Sequence, residues 1–84
     1  MALDRVWHIT VGDTTRTPTV ISESGKQDTP KIQCEQGGIP FSVEFHNRSD
    51  YFAARDSNVD VGVIVVSLNR GKRVVGVARN LKID

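Results

Sequence analysis

The chain has 84 residues, 38% hydrophobic and 25% charged, with a formal net charge of +1; this is one domain of ordinary globular composition, which argues against intrinsic disorder. No apolar run approaches the roughly 20 residues of a membrane-spanning helix, and a single cysteine, Cys34, excludes an internal disulfide framework and a thiolate metal cluster within one chain. The opening Met-Ala-Leu-Asp-Arg-Val-Trp lacks the apolar stretch of a secretory signal, so cytoplasmic residence is the working expectation and residues 1–84 are read as a single β domain.

Leu3 to Val11 alternates, with Leu3, Trp7, Ile9 and Val11 on one side, and reads as a first strand. Arg5 on the apolar side and Val6 on the polar side interrupt the pattern. Gly12-Asp13-Thr14-Thr15 has turn chemistry. Thr14 to Thr19 is β-prone, but Pro18 cannot donate to a ladder, so a strand through Thr19–Ser22 belongs at an edge. Glu23 to Pro30 reads as a loop. Lys31 to Gln36 alternates with Ile32 and Cys34 inward, Gly37-Gly38 turns the chain, and Phe41, Val43 and Phe45 then face a core.

Asn47 to Asn58 alone lacks strand character; Ser49 suits the cap of a helix of at most two turns through Arg55, with Tyr51, Phe52 and Ala54 as its buried side. The strongest local pattern follows, Val59 to Arg79, two β-branched runs around Asn69-Arg70-Gly71. A three-residue loop ending on a left-handed glycine fits these residues best. It sets Val63 and Val65 across from Val77 and Val75 on one face, and Ile64, Val66 and Leu68 beside Val74 and Gly76 on the other. Neither face is polar, so the ribbon needs shelter on both sides, from another segment of this chain or from another copy. Leu81 and Ile83 extend a final strand.

Six to seven short strands, a C-terminal hairpin and at most one short helix indicate an all-β fold, a small antiparallel β-sandwich or barrel; the alternative is an α+β fold with the helix packed on the sheet.

Catalytic and cofactor chemistry is sparse. No Gly-x-Ser-x-Gly elbow, phosphate loop or dinucleotide glycine pattern occurs, and no cofactor is expected. Asp56, Asn58 and Asp60 match the opening of a calcium loop, but Val61 stands where glycine is required and Ser67 where a bidentate glutamate belongs, so they are weak metal candidates. His8, His46 and Glu44 would share a metal only on adjacent strands. Cys34 reads as a small buried apolar residue.

Charge is uneven: residues 66–84 carry net +4 and the first 65 carry −3. Arg70, Lys72 and Arg73 at the hairpin tip are therefore candidates for anion or nucleic-acid binding, a less favoured alternative because all five aromatics lie outside this basic part. The leading expectation is a non-enzymatic β-rich interaction or assembly module, a homo-oligomer or a component of a larger assembly, with Val63, Ile64, Val65, Val66, Val75 and Val77 as interface residues. A small oligomeric enzyme with a site between subunits is a third reading, with no residue to carry it.

Overall fold

The structure, a computed structural model, describes residues 4–24 and 28–83. It contains β1 (Asp4–Val11), β2 (Thr14–Arg16), β3 (Thr19–Ser24), β4 (Lys31–Gln36), β5 (Ile39–Phe45), α1 (Arg48–Asp56), β6 (Val61–Ser67) and β7 (Arg73–Ile83). The expected Glu23–Pro30 loop lies partly at 25–27, outside the described residues, and β3 runs on through Ser24. The strands make one antiparallel seven-stranded sheet in the order β2-β1-β7-β6-β5-β4-β3, curled into a half-barrel.

The curl follows from chain connectivity. A flat seven-stranded sheet would hold its edges about 29 Å apart at about 4.8 Å per strand. The edge strands β2 and β3 are joined only by Thr17 and Pro18, and three residue steps reach at most about 11 Å. Both edges are therefore brought near each other by the bent segment Thr14–Ser24, which is bonded to β1 with its first part and to β4 with its second. Pro18, without an N–H, sits where the chain leaves one ladder and enters the other.

The concave face holds the core. Trp7 and Ile9 of β1 pair with Asn80 and Ala78 of β7, Val61 and Val63 continue across β6, and Phe45, Val43 and Ile32 complete the floor. α1 closes one end of this concavity by inserting Tyr51 and Ala54. Tyr51 packs edge-on against Phe45 at 5.2 Å and stacks near Trp7 at 6.0 Å, and Phe45 lies 5.5 Å from Trp7. The Tyr51 hydroxyl donates to Glu23 Oε1 at 2.6 Å, tying the helix to the edge strand β3.

Two local expectations are corrected. The helix is capped by Asn47, whose side chain accepts from the Asp50 N–H at 2.8 Å, and Ser49 lies inside its first turn; a cap of this kind is worth about 1 kcal/mol. Phe52 is not on the buried side; it is exposed and lies under the Arg55 guanidinium, 4.7 Å from the ring centre.

The hairpin loop has four residues rather than three. Ser67 donates to the Lys72 carbonyl and Gly71 donates to the Ser67 carbonyl, each at 2.8 Å, with Gly71 at φ 65°. Leu68 thus belongs to the loop, and the register moves by one. Val63 faces Gly76 and Val65 faces Val74 on the concave side; Ile64 faces Val75 and Gly62 faces Val77 on the convex side.

Candidate functional site

The convex face of the β6–β7 ribbon is the site on which the sequence reading turns. Val75 is 75% exposed and Val77 37%, with Ile64 and Val66 half-buried beside them. No described segment shelters the centre of this face, so of the two covers considered, another part of the described chain is not the one found. The rim alternates in charge: Arg73 bonds Glu44 at 2.8 Å, and Arg79 lies 3.2 Å from Asp60. The six expected interface residues are divided. Val63 is buried and Val65 packs partly into the core, while Ile64, Val66, Val75 and Val77 share the outer face.

The basic tip is reduced by the same geometry. Arg73 is committed to Glu44, and Arg79 to Asp60, leaving Arg70 and Lys72 as tip cations without an ion pair among the described residues. Trp7, Phe45 and Tyr51 are buried. Phe52, by contrast, is exposed, with the Arg55 guanidinium over its ring.

The weak metal candidates are also placed. Asp56 accepts from the Arg55 side chain at 2.9 Å and lies 3.6 Å from Arg5, and these guanidiniums hold its carboxyl below the usual range. Asp60 faces Arg79. Asn58 adopts φ 57°, a left-handed turn after the helix that asparagine tolerates. Among the described residues no three of His, Cys, Asp and Glu converge. β1 and β5, which carry or adjoin His8 and His46, are separated by β7 and β6, so the adjacency that a shared metal would need is not present.

Cys34 is buried on β4, and burial together with the nearby Glu23 charge pushes its thiol up to about 11. The thiolate is the reactive form, so Cys34 is expected to resist a thiol reagent at pH 8 in native protein and to react fully in denaturant. The same shift has a defined sign for stability: the contribution is present below the unfolded value near 9 and is lost as pH rises towards 11. Rapid native labelling at a rate that does not slow under stabilising conditions would contradict this burial.

A second feature escaped the sequence reading. At the end of the half-barrel away from α1, Ile9, Val11, Phe41 and Val65 line a pocket of about 380 Å³, with Ile39 at its mouth and Thr14, Arg16 and Gln36 as its polar groups. Alternation did place Ile9, Val11 and Phe41 inward, but nothing in the sequence shows that one end of the concavity is filled by a helix and the other is not.

No protein-family model, curated protein or solved structure matches this chain.

Proposed function

We propose that this chain is a non-enzymatic β-rich interaction module that pairs with a second copy of itself through the convex face of β6 and β7. In this reading β2 and β3 act as one bent strand that closes the curled sheet into a small barrel. The observation that supports the pairing is Val75, an aliphatic side chain three-quarters exposed on a central strand pair and flanked by Val77, Ile64 and Val66. Apolar surface removed from water there contributes roughly 25 cal/mol per Å². The rim does not oppose a like partner, because Arg73 is neutralised by Glu44 and Arg79 by Asp60 within each copy.

The contact is modest in size. Two strands at about 4.8 Å spacing and six residues at about 3.3 Å give a face of roughly 200 Å² in projection, against about 800 Å² per partner in a standard interface. The expected result is a weak dimer with a Kd on the order of 0.1–1 mM. In sedimentation equilibrium the wild-type mass rises with concentration from the 9.3 kDa chain mass towards twice that value, while Val75→Lys remains monomeric. Since Val75 makes few contacts in its own chain, the variant's stability should stay within about 0.5 kcal/mol of wild type. A wild-type chain that is monomeric at millimolar concentration overturns the proposal.

A further inference from the structure

We propose that the open end of the half-barrel is a binding site for a small amphipathic carboxylic acid, its apolar chain inside the concavity and its carboxylate at Arg16. The two ends of the concavity are unlike. Tyr51, Phe45 and Trp7 fill one; the other keeps a pocket of about 380 Å³ between the last residues of β1 and the β4–β5 turn. Its walls are aliphatic and aromatic, and Ile39 at the mouth stands 57% exposed. Concave apolar walls with a few polar groups are what small-molecule sites are made of, and this volume is at the lower end of their range of about 300–1,000 Å³.

The polar groups select the head group. Among the described residues Arg16 is the sole charged one in the lining, none brings a carboxylate to the pocket, and Arg16 makes no ion pair. A guanidinium takes a carboxylate in a two-pronged, charge-assisted bond. At about 30 Å³ for each water-sized atom the pocket holds roughly a dozen non-hydrogen atoms, which is the size of a ten-carbon fatty acid.

The probe is decanoate below its micelle concentration, titrated into the full chain carrying Val75→Lys so that the outer face contributes no apolar docking surface. Methyl NMR is expected to show saturable shifts at Val11, Ile39 and Val65, with Val77 and Ile64 unmoved and a Kd on the order of 0.1–1 mM. Arg16→Gln, which is exposed and leaves the core untouched, should weaken binding by about tenfold, and decan-1-ol should bind the parent no better than decanoate binds that variant. Absence of saturation at the pocket methyls, equal binding of acid and alcohol, or an Arg16→Gln affinity unchanged from its parent overturns the proposal. The wild-type dimer is measured separately, so failure of this site leaves the pairing of the outer faces intact.

Discussion

Replacing Gly76 with alanine is expected to destabilise the fold by about 1–3 kcal/mol, the cost of forcing extra volume into a packed interior. Gly76 lies on the concave side of β7, opposite Val63. A Cβ there would stand 2.7 Å from the Thr10 carbonyl oxygen and 3.2 Å from Val11 Cγ2. The first of these is a backbone atom in the β1–β7 ladder, where Thr10 pairs with Val77, so it cannot move without opening the sheet. The glycine lets β1 lean over β7, and the curl of the half-barrel depends on that approach. For a domain of this size each kcal/mol lowers Tm by roughly 4–8 °C. The control is Gly62→Ala on the convex face of β6, where a new Cβ meets only His46 Nε2 at 3.9 Å. That change should be neutral or stabilise by up to about 1 kcal/mol through the unfolded chain. Equal losses for the two variants in urea unfolding would show that close approach at Gly76 is not what matters.

Phe45→Ala is expected to have the largest effect of any single substitution, about 3–5 kcal/mol. Phe45 is buried, holds Trp7 and Tyr51 in one aromatic cluster, and donates its backbone N–H to the Pro30 carbonyl at 2.8 Å. At about 0.05–0.15 kcal/mol per residue a chain of this length has roughly 4–12 kcal/mol of stability in all. The variant should therefore be partly unfolded at 25 °C, with Trp7 fluorescence shifted towards that of the solvated indole. A loss below 1 kcal/mol would mean that this cluster does not anchor α1 to the sheet.

How much could be read beforehand depended on whether a strand had a wet side. Lys31–Gln36 alternates strictly, and β4 occupies those same residues with Ile32 and Cys34 buried. Trp7, Ile9, Val43 and Phe45 likewise lie in the core as their alternation requires. In Val74-Val75-Gly76-Val77 both sides are apolar, so side-chain pattern cannot fix register and loop length alone decides it. One additional loop residue, Leu68, moved Val75 and Val77 from the side of Val63 to that of Ile64. The helix start was ambiguous for a similar reason: Asn47 and Ser49 are both good caps, and only the Asn47–Asp50 bond separates them.

Long-range geometry was less accessible still. That Thr17 and Pro18 span the two edges of one sheet has meaning only once β1 is known to pair with β7, a contact between the two ends of the chain. The pocket beside Arg16 and Gln36 depends on the same curl of the sheet. Local patterning carries no information about pairings so distant in sequence.

The pairing of outer faces is tested most directly by intermolecular methyl contacts in a mixture of ¹³C-labelled and unlabelled chains. Isotope-filtered NOEs are expected to connect Ile64, Val66, Val75 and Val77 of one copy to the same group of residues in the other. A dimer whose intermolecular contacts lie elsewhere, or a concentrated sample with none at these four residues, would contradict that pairing.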